Sequence, residues 1–194
     1  ADSITISGGA LGLVKAGEGD DVMRSTAATT ISALTFAAGA DDLTFSGTTK
    51  EVFLGSGHDN VSASNFTTLS SSLFKLGDGR DTIASTISGV SAFELRGDST
   101  NANAAADSID LTIGTLVDMS VKGAGGNDTI TISGISQSSV IAGNAGIDSI
   151  VLSAMAAGVV VGGGSGADTI ELTDALTTNS ALLKGGADAD SIYI

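Results

Sequence analysis

Gly163-Gly164-Ser165-Gly166-Ala167-Asp168-Thr169-Ile170-Glu171-Leu172 is the stretch from which the fold can be read. Glycines mark a tight turn, and after Asp168 the apolar Ile170 and Leu172 alternate with Thr169 and Glu171. Period-two alternation means a short strand with one face buried. The pattern is not local. Asp168 belongs to a series made by Asp2, Asp21, Asp41, Asp59, Asp81, Asp107, Asp128, Asp148, Asp168 and Asp190, spaced 18 to 26 residues apart. Two places after each stands an apolar residue: Ile4, Met23, Leu43, Val61, Ile83, Ile109, Ile130, Ile150, Ile170 and Ile192. A second apolar column lies seven places before the aspartate, at Val14, Leu34, Val52, Phe74, Val121, Ile141, Val161 and Leu183. In the coil that ends at Asp107 an insertion obscures the count, and Phe93 or Leu95 takes the place.

A fixed period near twenty residues is the signature of a repeat architecture in which one coil cannot bury its own apolar face and stacking supplies the core. The spacing predicts an all-β fold, a parallel β-solenoid (β-roll or β-helix) of about nine coils of ~20 residues with two short strands each. At ~4.8 Å per coil the rod would be roughly 40 Å long. Residues 96–106 lengthen one coil and have the composition of a surface loop. The Ala-rich stretches 102–106 and 154–157 are too short for independent helices. The pattern resumes at Asp107, so residues 1–194 are read as one domain. The chain shows neither an initiator Met nor a signal peptide. It carries the same motif at Asp2-Ser3-Ile4 and Asp190-Ser191-Ile192. The expectation is a fragment of a larger protein.

Composition narrows the partners. The chain has 27 Gly, no Pro, no Cys and no Trp, and 22 acidic against 8 basic residues, for a formal charge of −14. A disordered acidic chain would be poor in aliphatics, but this one is 42% hydrophobic, which suits thin layers of Ile, Leu and Val. Nucleic acid is excluded as a partner because phosphate neutralisation needs clustered Lys and Arg. The charge favours cations instead. Without cysteine there is no disulfide framework and no thiolate metal site. No apolar run approaches the length that spans a bilayer, so direct membrane insertion is not expected.

The glycine turn points to calcium. This ion takes six to eight oxygens from carboxylates and backbone carbonyls. Glycines let the backbone aim carbonyls inward, and the aspartate adds charge. A cation between successive turns would also cancel repulsion along the stacked aspartates, so folding should depend on it. The competing reading is that each aspartate only caps its turn through Asx-type hydrogen bonds.

These residues resemble the RTX family of calcium-binding nonapeptide repeats, G-G-x-G-x-D-x-U-x. Gly163 to Glu171 matches in full; Ala16-Gly17-Glu18-Gly19-Asp20-Asp21-Val22-Met23 and Gly55-Ser56-Gly57-His58-Asp59-Asn60-Val61 match nearly so. The resemblance implies Ca²⁺ ligation by the turn aspartate and neighbouring carbonyls. It carries best onto Asp21, Asp59, Asp81 and Asp168, with the turn glycines Gly17, Gly19, Gly55, Gly57, Gly77, Gly79, Gly164 and Gly166. Asp41, Asp128, Asp148 and Asp190 follow in degenerate turns. The other half-coil is irregular and lacks G-x-D, as in Ser133-Gly134-Ile135-Ser136-Gln137-Ser138, so ions are expected along one edge only.

Other signals are weak. Arg96-Gly97-Asp98-Ser99 contains the integrin-binding tripeptide, read here as coincidence in a chain rich in Gly and Asp. His58 is the only histidine, and no Ser and base can be named beside it. Asp118, Glu94 and Glu171 are candidate acids by residue type alone, and no paired-carboxylate spacing suggests glycosidase chemistry. The outward column Thr5, Arg24, Thr44, Ser62, Ala84 and onward is too uneven to match an ice lattice. The expectation is therefore a non-catalytic protein. The acidic, Cys-free, Ser/Thr/Ala/Gly-rich composition with loose repeats resembles bacterial surface-layer proteins. That resemblance implies a calcium-dependent, self-associating structural module, extracellular at the cell surface. A stalk of a type I-secreted adhesin, an extracellular filament subunit, and the calcium-binding C-terminal part of a secreted enzyme are the alternatives.

Overall fold

Every apolar residue two places after a column aspartate pairs with its counterpart one coil away. The register runs Ile4, Met23, Leu43, Val61, Ile83, Ile109, Ile130, Ile150, Ile170, Ile192 without a slip. The second column pairs likewise, through Val14, Leu34, Val52, Phe74, Leu95, Val121, Ile141, Val161 and Leu183. Leu95, not Phe93, occupies the column in the lengthened coil. All pairings are parallel, so the computed structural model is a parallel β-solenoid; it describes residues 1–66, 70–87, 90–100, 105–174 and 180–194.

Two parallel stacks build the rod. The first contains Ser3–Ile6, Val22–Ser25, Asn60–Phe66, Thr82–Ile87, Thr129–Gln137, Ser149–Leu152, Thr169–Leu172 and Ser191–Tyr193. The second contains Gly9–Lys15, Thr29–Thr35, Ser70–Asp78, Val90–Arg96, Val140–Ala145, Val160–Ser165 and Leu182–Ala187. Asp42–Ser56 and Ser108–Gly125 run continuously through both stacks. Among the described residues there is no helix. The two stacks share one apolar core, in which the interior members of both columns are almost wholly buried. Phe74 and Phe93 meet edge to face there, with ring centroids 5.3 Å apart.

The two turns of a coil are built differently. The glycine turn precedes the first strand. The opposite turn places a single non-glycine residue in the left-handed region in several coils in line: Ser71, Ala92, Asp118 and Ser138, with φ between 50° and 59°. The lengthened coil departs from a surface loop at its start, because Gly97 and Asp98 are buried. Residues 101–104, with part of the Ala-rich stretch, lie outside the described residues.

Candidate metal centre

Each column aspartate is in phase with the apolar residue two places later, so period two turns its side chain inward rather than along an outer edge. Asp21, Asp41, Asp59, Asp81, Asp107, Asp128, Asp148 and Asp168 are each at most 2% exposed. Asp190, in the last coil, is half-buried. The backbone N–H of every column aspartate from Asp2 to Asp168 donates to Oδ1 of the aspartate in the next coil, at 2.5–3.0 Å. From Asp21 onward the residue after each aspartate donates its own N–H to the aspartate carbonyl of the coil before, as Asn60 does to Asp41 and Ser149 to Asp128, both at 2.8 Å. These bonds run between coils, so the aspartates do not simply cap their own turns.

The second carboxylate oxygen has a different fate. Oδ2 of the same eight buried aspartates is shielded from solvent and makes no hydrogen bond. Burial raises the pKa of Asp41, Asp59, Asp81, Asp107, Asp128, Asp148 and Asp168, opposed by the inter-coil N–H bond and reinforced by neighbouring carboxylates. Asp59 and Asp148 are pushed up to about 6, Asp81 and Asp128 to about 7, and Asp107 to about 8. Asp41 and Asp168 move in the same direction for the same causes. An ionised carboxylate with an unpaired buried oxygen is costly. Each coil therefore holds an acid that calls for a proton or a cation.

The glycines predicted from the motif, Gly17, Gly19, Gly55, Gly57, Gly77, Gly79, Gly164 and Gly166, all have φ between 101° and 153°. Close approach of the coils is a second reason for Gly55, Gly57, Gly77, Gly79, Gly164 and Gly166. A Cβ on Gly57 would stand 1.7 Å from the carbonyl oxygen of Gly39 in the coil before. Gly163 answers another need, since a Cβ there would lie 2.2 Å from Oδ2 of Asp168. Gly123, Gly143 and Gly185 stand in the same relation to Asp128, Asp148 and Asp190. This residue five places before the aspartate is absent from the predicted site. Its signal is visible only in the second half of the chain; Ala16, Phe36, Leu54 and Leu76 hold the place in earlier coils.

The donor set fits a hard cation, since each interior coil buries one orphaned carboxylate oxygen, and at Asp107 and Asp168 a backbone carbonyl oxygen, of Gly123 and of Gly185, crowds the same glycine as that oxygen. Among the described residues no three Asp, Glu or His side chains converge on one point, so any cation would draw on one or two carboxylates and on carbonyl oxygens. Asp107, which lacks flanking glycines, sits in the ladder like the rest and has the highest pKa in it.

The remaining candidates lie elsewhere. His58 is exposed on its turn and accepts the Arg80 backbone N–H at Nδ1, 3.2 Å away. Glu94 is paired with Arg96 at 2.6 Å and with Lys122 at 3.9 Å. Glu171 points outward, and Asp118 is exposed on the left-handed corner. These groups are not brought together. Comparison of the chain with protein-family models, with curated proteins and with solved structures finds no match.

Proposed function

We propose that this chain is a calcium-dependent, non-catalytic structural rod of the RTX-repeat type, a self-associating module of a bacterial surface layer outside the cell. The observation that carries the reading is the row of eight buried aspartates, each with one oxygen unpartnered. Bound calcium would supply positive charge among carboxylates that otherwise repel across successive coils. Asp21, Asp41, Asp59, Asp81, Asp128, Asp148, Asp168 and Asp190 would hold it, together with carbonyls of the glycine turns. Asp107 joins them by position in the ladder. Through Oδ1 the same side chains fix the stacking register, and through Oδ2 they make that stacking depend on charge compensation. Sites of this kind do not exist before folding, so the cation's binding energy would be folding energy.

Placement outside the cell follows from the resemblance, in which chains cross the envelope unfolded and fold in calcium-rich surroundings. A lattice role is supported by the acidic composition and by the irregular turns opposite the ladder, which vary where contacts with neighbours would lie. Far-UV circular dichroism during calcium titration, reversed with EGTA, tests the reading. The expected result is a cooperative gain of strand signal that EGTA abolishes. Unchanged strand content in EGTA at neutral pH would sink it. Electron microscopy with calcium then separates sheets, expected for a lattice, from head-to-tail fibres.

A further inference from the structure

One buried carboxylate stands outside the ladder. Asp98, in the lengthened coil, is 1% exposed, and neither of its oxygens makes a hydrogen bond. A receptor cannot reach an aspartate buried to this degree, so the Arg96-Gly97-Asp98 tripeptide is not displayed. Its backbone is fixed on both sides. Gly97 donates its N–H to the Lys122 carbonyl at 2.9 Å, and Asp98 donates to the Gly123 carbonyl at 3.2 Å. The Gly97 carbonyl accepts the Gly77 N–H at 2.9 Å. Asp98 is thereby held between the preceding coil and the following one.

The surroundings are rich in oxygen. Oδ2 of Asp107 is also buried and unpartnered. A Cβ on Gly97 would lie 2.1 Å from that atom and 2.5 Å from the Gly123 carbonyl oxygen, so both stand against the residue that precedes Asp98. Asp78 is engaged by the Ser99 hydroxyl. Burial raises the pKa of Asp98 to about 6, opposed by the nearby backbone N–H groups of Gly79 and Gly125 and reinforced by Asp78. Asp98 in turn raises Asp81, Asp107 and Asp128, so negative charge is concentrated where the repeat is interrupted.

We propose that the lengthened coil adds a divalent-cation site beside the ladder, where Asp98 and the ladder's own Asp107 hold the ion with backbone carbonyl oxygens. Every donor is oxygen and none is imidazole or thiolate, which selects a hard cation of the calcium class. The choice of calcium rests on the reading of the ladder given above; the residue set is independent of it. A cation here joins the coils on either side of the insertion, where the glycine turn that elsewhere secures the stacking is missing.

Calorimetric titration of the full chain with CaCl₂, with ions counted by native mass spectrometry, tests the site in Asp98→Asn and Asp168→Asn. Circular dichroism checks that each variant is folded. Asp98→Asn should bind one calcium fewer than the parent chain, and Asp107→Asn should lose that same ion. An unchanged ion count and affinity in Asp98→Asn overturns the proposal. Loss of an ion in Asp168→Asn alone overturns this site and leaves the ladder; loss in Asp98→Asn alone does the reverse; a parent chain that binds no calcium overturns both. If Asp98→Asn fails to fold, carboxyl-¹³C NMR of the parent chain decides. A calcium-dependent shift of the Asp98 carboxyl resonance upholds the site, and a static one refutes it.

Discussion

Without calcium, the rod should lose stability as the pH rises through neutrality, the reverse of ordinary acid denaturation. Burial lifts Asp81 and Asp128 to about 7 and Asp107 to about 8 from 3.8. In the unfolded chain the same groups are ionised well below pH 6. At pH 6 the folded state therefore keeps about three protons that the unfolded state has released, and each such proton is worth about 1.4 kcal/mol per pH unit. The slope is then about −4 kcal/mol per pH unit for these three groups alone. Because the folded pKa values lie above the unfolded ones, the stabilisation is complete below about pH 4 and disappears as the pH climbs through 7 to 8. Small domains are stable by only about 5–15 kcal/mol, so two pH units remove a large share of the metal-free rod's stability. The assay is urea unfolding followed by far-UV circular dichroism at pH 5, 6, 7 and 8 in calcium-free buffer, repeated with millimolar CaCl₂. The expected result is a urea midpoint that falls with pH without calcium and recovers at pH 8 with it. A calcium-free midpoint that is flat or rises from pH 5 to 8 would refute the argument.

Asp81→Ala removes the acceptor of the Asp59 N–H, a 2.8 Å bond, and leaves a buried donor unpaired, at about 1–3 kcal/mol. Asp81→Asn keeps that acceptor and deletes the charge, so at pH 8 without calcium it should be more stable than the parent chain, as read by urea midpoints. Asn144→Gly should stabilise the rod by about 1 kcal/mol, because Asn144 sits at φ 82° with its buried Nδ2 unpartnered; a rise in Tm checks it. Gly57→Ala should abolish the folded rod, since the new Cβ meets the Gly39 carbonyl oxygen at 1.7 Å with φ at 145°. Loss of strand signal and of a compact elution volume would show it.

Both apolar columns are legible in the sequence, because in a parallel stack the pairing partner of a residue is its equivalent one period away. Ile130, for example, meets Ile109 and Ile150. The period fails only at the insertion, where counting cannot choose between Phe93 and Leu95; both are buried, and strand register selects Leu95. The aspartate column is equally legible, and its phase with Ile170 or Ile130 already implies an inward side chain. What a linear pattern does not contain is the division of labour between the two carboxylate oxygens, since that depends on where the backbone N–H of the next coil points. Asp98 lies furthest from what sequence could tell. It belongs to no period, sits in a stretch with loop composition, and is held inside by the backbone bonds of Gly97 to Lys122 and of Asp98 itself to Gly123, 25 residues later. Period and polarity determined the rod, its core and the column of acids, because these repeat at fixed spacing along the chain. The burial of each acid's second oxygen, and of the extra carboxylate beside Asp107, was decided only when distant coils came into contact.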